Sequence, residues 1–180
     1  MKDLKESLLN YKGKRANILS FELSAKNICQ IDLSTDNPEM HQFDITDHEL
    51  FGAYIEGKIR ENKALVAVGG YTENRLVYQR SSHFGEGDDA RCIHLGLDIW
   101  GEPLMPVFAP LDAKIHSFHD NDQSGDYGPT IILEHHLGSD LLYSLYGHLS
   151  RRSLEAIYEG KEIKAGEQFA ETGEVYENGQ

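Results

Sequence analysis

The sequence predicts a mainly β fold, an antiparallel β-sandwich or open barrel with an N-terminal α+β extension. Two observations support this prediction. From Arg91 onward, short apolar stretches alternate with turns rich in Gly, Pro, Asn and Asp, a pattern typical of short antiparallel strands. Before that point the hydrophobic period changes from about 3.6 residues over 46–62 to 2 in ALVAVGG and RLVYQRS, which indicates a helix followed by strands.

The N-terminal extension is predicted to contain two helices around a strand. Residues 1 to about 14 have apolar side chains at helical spacing, and β-type residues fill FELSAKNICQIDLS. Thr46 and Glu49 fit a capping box, in which a hydroxyl and a carboxylate satisfy free backbone amides, so Thr46 should begin the second helix. The apolar stripe of that helix is predicted to consist of Phe51, Ile55 and Ile59.

The polar loop HFGEGDDA is the predicted domain boundary, with the extension at 1–88 and the β domain at 89–180. The strands of the β domain are predicted in IHLGLDIW, PVFAPL, AKIHSF, PTIILEHH, LLYSLYGH, KEIKAG and EQFAETG. A helix over SLEAIY should interrupt them, with Ser150 or Ser153 as its cap and Gly160 as its stop.

The composition argues against several classes of partner. The 180 residues carry a formal net charge of -13, from 30 acidic and 17 basic residues, which opposes close approach to nucleic acid or an anionic membrane. No apolar run approaches the ~20 residues that span a bilayer, and the N-terminus lacks the apolar region of a secretory signal. Cys29 and Cys92 form no CxxC pair, so a thiolate zinc knuckle is not indicated. We therefore expect a cytoplasmic protein without nucleic-acid binding or membrane insertion, and the oligomeric state stays open.

His94 and Asp98, in HLGLD, are candidate metal ligands. In a straight strand, positions i and i+4 lie about 13 Å apart, too far to share an ion whose ligand bonds are about 2 Å long. The chain must therefore bend between them, and Gly96 permits a bend. From spacing alone, a turn with a polar His and an Asp that caps local amides is the favoured interpretation.

His148 is the second candidate, at the end of LLYSLYGHLS. Alternation predicts that the apolar side chains meet the core and that the polar ones, ending in His148, line a groove. An exposed polar edge of a half-buried strand explains the same pattern equally well. The face predicted to meet the core consists of Leu141, Tyr143 and Leu145, and the polar face of Ser144, Tyr146 and His148.

An ordered series of segments resembles the lysostaphin-type zinc metallopeptidases. The series runs HLGLDIWG, PVFAPLDAKIHSF, DYGPTIILEH, LYSLYGHLS and KEIKAGEQFAETG, between Arg91 and Thr172. It matches the family's His-x-x-x-Asp pair, its "pV.A..dG.V" and "YG..v.l.H" strands, its "Y.HL" motif and its "v..Gq.ia..G" hairpin. The agreement covers nearly half of the chain in the family's order, which makes it far more specific than any one motif.

The resemblance implies a duplicated hybrid motif fold and a peptide or peptidoglycan-like substrate. It also implies that His94 and Asp98 bind Zn²⁺ and that His148 is catalytic, assisting the zinc-bound water or the oxyanion. The family's third zinc ligand belongs to a terminal His-x-His, which would follow GEVYENGQ. The chain is thus expected to be C-terminally incomplete, either as a truncated polypeptide or as a degenerate member that keeps the fold without hydrolysis.

Three functions follow from this resemblance as hypotheses. The first is a zinc-dependent metallopeptidase that cleaves a peptide bond between small residues. The second is a non-catalytic lysostaphin-like module that binds or regulates a partner. The third keeps the metal but hydrolyses a small amide or ester. The segment VGGYTENRLVYQRS is also similar to the lead-in of lysostaphin-like domains in cytoplasmic multidomain proteins, which argues against mature peptidoglycan as the substrate.

Overall fold

The computed structural model describes residues 4–80, 92–123 and 125–177. The chain divides into two compact units, one of Met1–Glu22 with Pro103–Gln180 and one of Leu23–Glu102. The predicted domain boundary at residues 88 and 89 lies outside the described residues and stays a prediction. Strands dominate the described part of the chain and pair mostly in antiparallel fashion, which confirms the mainly β fold.

The secondary structure consists of short helices and of strands that become longer toward the C-terminus. A 3-10 helix covers Pro38–His41 and another covers Arg151–Leu154. The other elements are α1 (Leu4–Asn10), β1 (Ile28–Ile31), α2 (His48–Asn62), β2 (Val66–Gly69), β3 (Glu73–Asn74), α3 (Leu76–Arg80), β4 (Ile93–His94), β5 (Ile99–Trp100), β6 (Pro106–Phe108), β7 (Ala113–Asn121), β8 (Gly128–Leu137), β9 (Asp140–Tyr146), β10 (Glu162–Ile163) and β11 (Gln168–Glu171).

The unit Leu23–Glu102 is built on a three-stranded sheet in the order β1-β2-β5. Strands β1 and β2 are parallel, and β5 runs antiparallel to β2. Helix α2 packs on this sheet through the predicted stripe, because Ile55 is buried in the core and Phe51 and Ile59 pack against it. A second antiparallel ladder joins β3 to β4, with Glu73 opposite His94. This ladder fixes the position of the histidine that the sequence singled out.

The predicted capping box at Thr46 is wrong. The N-cap of α2 is Asp47, whose carboxylate accepts hydrogen bonds from the backbone amides of Glu49 and Leu50. The hydroxyl of Thr46 donates instead to the carboxylate of Asp44, at 2.7 Å. An aspartate one position later therefore satisfies the free amides and adds a negative charge at the positive end of the helix dipole.

Two other predicted elements differ from the structure. RLVYQRS was predicted to be a strand, but the described part forms the two-residue strand β3 just before it and then the helix α3. A short apolar run does not distinguish a strand from a helix, and in the helix Leu76 is buried in the core with Val77 packed against it. The predicted helix over SLEAIY is a 3-10 turn that ends by Leu154, because the hydroxyl of Ser150 bonds to Glu171 rather than to a free amide of the turn.

The other unit contains a four-stranded antiparallel sheet in the order β10-β7-β8-β9 and the antiparallel pair β6 and β11. Its N-terminal segment joins this unit through backbone bonds, from Ala16 N to the carbonyl of Pro110 and from Phe108 N to the carbonyl of Ile18. No pattern in the sequence indicates that this segment packs here. The core of the unit consists of Val107, Ala109, Ala113, Ile115, Ile131, Leu133, Leu149, Ile163, Phe169 and Ala170.

The two faces of β9 are the reverse of those predicted. Register with β8 places Ser144 opposite the buried Leu133 and Tyr146 opposite the buried Ile131. The face with the polar-looking residues therefore meets the core, where the Tyr146 ring packs edge-on against Phe169 at 4.9 Å. The exposed face carries Leu141, Tyr143 and Leu145. The buried face of β8 determined the orientation of β9, and the composition of β9 alone did not reveal it.

The helices within the described ranges are short or amphipathic. Among them, none has both the length and the apolar character that are needed to cross a membrane.

Candidate metal centre

A tight turn brings His94 and Asp98 together. His94 ends β4, Asp98 directly precedes β5, and the chain bends at Gly96 between them. The carbonyl of Asp98 accepts a hydrogen bond from Gly69 N at 2.9 Å, which ties this end of the turn to β2. As a result, His94 Nε2 lies 3.5 Å from Asp98 Oδ1, far closer than an extended strand permits.

Gly96 is needed in this turn because of space. A Cβ atom at this position would lie 3.0 Å from His94 Nε2 and 3.2 Å from His94 Cε1. Any larger residue would therefore push against the imidazole. The sequence identified Gly96 as the residue that permits the bend, and the structure shows that its hydrogen-only side chain also leaves room for the His94 ring.

The imidazole of His94 is oriented by the backbone. Its Nδ1 lies 3.3 Å from the carbonyl oxygen of Gly70, which only accepts hydrogen bonds, so Nδ1 is the protonated nitrogen. In a neutral imidazole with this tautomer the lone pair is on Nε2, which lies 3.5 Å from Asp98 Oδ1. A histidine fixed in this way through its second nitrogen is typical of metal ligands. The ring of Tyr78 lies edge-on to His94, with the centroids 6.3 Å apart.

Asp98 is held on its other side by a buried arginine. Arg75 Nη1 lies 2.5 Å from Asp98 Oδ2, and Arg75 Nε lies 2.9 Å from Glu73 Oε2. Glu73 is fixed in turn, because its Oε1 accepts a hydrogen bond from Leu33 N at 2.9 Å. Sequence reasoning missed Glu73 and Arg75, since they precede HLGLD by about twenty residues and lie in a segment that was interpreted only as a strand.

The donor atoms of His94 and Asp98 fit a zinc ion. Ligand atoms that lie about 2.0–2.2 Å from a tetrahedral zinc are separated by roughly 3.3–3.6 Å, and the two atoms here are 3.5 Å apart. Nε2 of a neutral imidazole and Oδ1 of a carboxylate each offer a lone pair, and a cation placed between them accepts both. Within residues 4–80, 92–123 and 125–177, however, no group of three or more His, Cys, Asp or Glu residues is arranged to hold a metal ion.

His148 lies in the other compact unit, two residues after the end of β9. Its backbone adopts a left-handed conformation, with φ of 53°. This geometry is held by a 2.6 Å hydrogen bond from His148 N to the carbonyl of Tyr127 and by a 2.9 Å bond from Gly173 N to the His148 carbonyl. The side chain is exposed, and its ring lies 6.2 Å from that of Tyr127. The convergence of His148 with His94 and Asp98 stays a prediction.

The comparisons with known proteins give one match. Residues 92–180 match the family model described as Peptidase family M23. This range includes all three predicted site residues, His94, Asp98 and His148. No curated protein and no solved structure matches the chain.

Proposed function

Because the chain belongs to peptidase family M23 through residues 92–180, we propose that it hydrolyses peptide bonds with the help of a zinc ion held by His94 and Asp98. The observation that supports this proposal most directly is the 3.5 Å approach of His94 Nε2 to Asp98 Oδ1. The two atoms are an imidazole nitrogen and a carboxylate oxygen, a donor pair that zinc readily accepts. The match of residues 92–180 to the family model confirms the lysostaphin-type resemblance at the level of the family.

In this proposal His94 and Asp98 bind the zinc ion, and His148 transfers protons or donates a hydrogen bond. When bound, zinc supplies Lewis acidity, which lowers the pKa of a water molecule and polarises a carbonyl group. Gly70 and Arg75 keep the lone pairs of His94 and Asp98 directed toward the shared position. The exposed imidazole of His148 accepts or donates a proton at a nitrogen, or donates a hydrogen bond to a developing oxyanion.

The substrate that we propose is a peptide cleaved between small residues, which includes peptidoglycan-like peptides. Catalytic zinc sites have three protein ligands and one open position for water. Two ligands are proposed here, and the resemblance implies that a third belongs to a His-x-His segment. The most informative material is therefore the protein translated through its whole natural reading frame, assayed beside the present chain.

Metal binding and hydrolysis are tested together. We expect Zn²⁺ to bind with a stoichiometry of one and His94→Ala or Asp98→Ala to weaken that binding at least about tenfold, because each removes one of few ligands. Cleavage of glycine-rich peptides should stop with EDTA and return with added zinc. The matched control is His136→Ala, which removes an exposed histidine that contacts Glu134 rather than a proposed ligand.

The outcomes separate the three hypotheses. Zinc affinity that is unchanged in His94→Ala and Asp98→Ala contradicts the metal assignment. Zinc binding without cleavage of any peptide favours the non-catalytic module, and cleavage of small amides alone favours the third hypothesis. His148→Ala should keep the zinc affinity and lower the rate of hydrolysis; a loss of zinc affinity in this variant argues against its catalytic role.

Gly96→Ala is expected to weaken Zn²⁺ binding about tenfold while the chain stays folded, because the new methyl group displaces the His94 ring from its position. Isothermal titration with zinc measures the effect. Gly57→Ala is the matched control, since a Cβ atom at Gly57 in α2 meets nothing within 4 Å. That control should bind zinc like the wild type and gain up to about 1 kcal/mol in stability. Equal zinc affinity in the two variants contradicts the role of Gly96.

A further inference from the structure

Arg75 connects two carboxylates at the candidate metal centre. Its side chain is 7% exposed, and its guanidinium group contacts Glu73 through Nε and Asp98 Oδ2 through Nη1. The guanidinium group is also packed closely against the backbone of Gly69. A Cβ atom at Gly69 would lie 3.1 Å from Arg75 Nη2 and 2.7 Å from the ring of Trp100. An arginine in such a position has little freedom to leave its partners.

This arrangement leaves the two oxygens of Asp98 with different roles. Oδ2 is occupied by Arg75 at 2.5 Å, whereas Oδ1 lies 3.5 Å from His94 Nε2. A carboxylate that is free to rotate binds a cation through one oxygen or through both. With Oδ2 bound to a fixed guanidinium, only Oδ1 is available on the side of His94.

We propose that Arg75 is a positioning residue, which restricts Asp98 to binding a divalent cation through Oδ1 alone. The proposal rests on the proposed function, since it takes His94 and Asp98 as the ligands. Arg75 does not contact the reacting groups and acts only through Asp98.

The carboxylate of Glu73 reduces the electrostatic repulsion between Arg75 and a cation bound beside it. A buried guanidinium close to a metal ion repels it, and the repulsion is strong where water is excluded. The carboxylate of Glu73, 2.9 Å from Arg75 Nε, balances that positive charge. The formal charges of Glu73, Arg75 and Asp98 therefore sum to minus one, which leaves the charge of Asp98 for the cation. Glu73 itself is 9% exposed and held by Leu33 N, so this balance is built into the fold.

The test separates orientation from charge. Arg75→Met removes the ion pair with Asp98 Oδ2 but also makes the summed charge of residues 73, 75 and 98 more negative. The double variant Glu73→Gln with Arg75→Met removes one charge of each sign and keeps that sum unchanged. The full chain with each change is titrated with Zn²⁺ against a chromophoric chelator, and its Co²⁺ form is examined by visible absorption. Arg151→Met is the matched control, because Arg151 forms a similar 2.9 Å ion pair with Asp120, which is not a proposed ligand.

The double variant is expected to bind Zn²⁺ about 10- to 100-fold more weakly than the wild type, the range found when the residues that hydrogen-bond to metal ligands are lost. Its Co²⁺ spectrum should change, since Asp98 gains a second free oxygen. Arg75→Lys should recover part of the affinity because the ammonium group donates a single hydrogen bond to Oδ2. Arg151→Met should retain the wild-type affinity and spectrum.

Two results would overturn the proposal without touching the metal assignment. One is wild-type zinc affinity and an unchanged Co²⁺ spectrum in the double variant while His94→Ala still loses the metal. The other is a structure of the zinc-loaded wild type in which both oxygens of Asp98 contact the ion, a measurement that does not depend on any variant folding. If His94→Ala binds zinc as tightly as the wild type, the proposed ligands are wrong, and this proposal fails with them.

Discussion

Leu133→Ala is expected to lower the free energy of unfolding by about 2–5 kcal/mol, because the side chain is fully buried and its removal leaves a cavity. Leu133 lies in β8, the strand between β7 and β9, opposite Ile115 on one side and Ser144 on the other. Neighbours held in two ladders have little freedom to move into the space. Urea denaturation, followed by circular dichroism, measures the change.

Leu145→Ala is the matched control for this prediction. The same substitution in the adjacent strand should cost less than about 1 kcal/mol, since Leu145 is 51% exposed. The sequence pattern of β9 alone predicts the opposite, with Leu145 in the core. If Leu145→Ala lowers the free energy of unfolding as much as Leu133→Ala does, the result contradicts the strand register that the structure shows.

The extent to which the fold follows from sequence depends on how local the determining interactions are. The apolar stripe of α2 was predictable because three residues at i, i+4 spacing define one helix face. The face of β9 was not, because leucine and tyrosine occur on both of its faces, with Leu141, Tyr143 and Leu145 on one and Leu142 and Tyr146 on the other. Only the pairing with β8, where Leu133 and Ile131 are buried, reveals which set points inward.

In the candidate site, too, the residues within one short motif were predictable from sequence and the residues from a distant segment were not. His94 and Asp98 were predicted from a motif and its family context, and the turn that brings them to 3.5 Å is consistent with that interpretation. Glu73 and Arg75 act on the same site, but they are separated from it along the chain and reach it through the ladder of β3 and β4. No spacing rule links an arginine in one segment to an aspartate in another, so these partners needed the structure.

His135 is the basis of the second large prediction. It is buried in β8, beside the exposed His136, and both of its ring nitrogens have partners. Nδ1 donates to the carbonyl oxygen of Asp112 at 3.2 Å, so Nε2 accepts the hydrogen bond from Ser144 Oγ at 2.7 Å. The ring is thus neutral in the folded chain, and burial lowers the pKa of His135, partly offset by the bond to Asp112.

His135→Ala is expected to lower the free energy of unfolding by about 2–4 kcal/mol at neutral pH, because a cavity forms and the Ser144 hydroxyl loses its partner. The effect should depend on pH. In the unfolded chain His135 takes up a proton near pH 6.5, whereas the lowered pKa keeps it neutral in the folded chain. The unfolded state then binds more protons, so stability falls as the pH drops below about 6.5, by up to about 1.4 kcal/mol per pH unit, until the folded pKa is reached.

Urea denaturation between pH 7.5 and pH 5 measures this slope in the wild type, in His135→Ala and in His136→Ala. His135→Ala should lose the part of the slope that comes from His135. His136→Ala should keep that part, since His136 is exposed and its imidazole lies 3.0 Å from the Glu134 carboxylate. The two histidines are adjacent in one strand, so the pair compares a buried with an exposed imidazole in nearly the same backbone. If His135→Ala retains the full wild-type slope, the imidazole of His135 is not held neutral by the fold, and the stability of this sheet in acid depends on other groups.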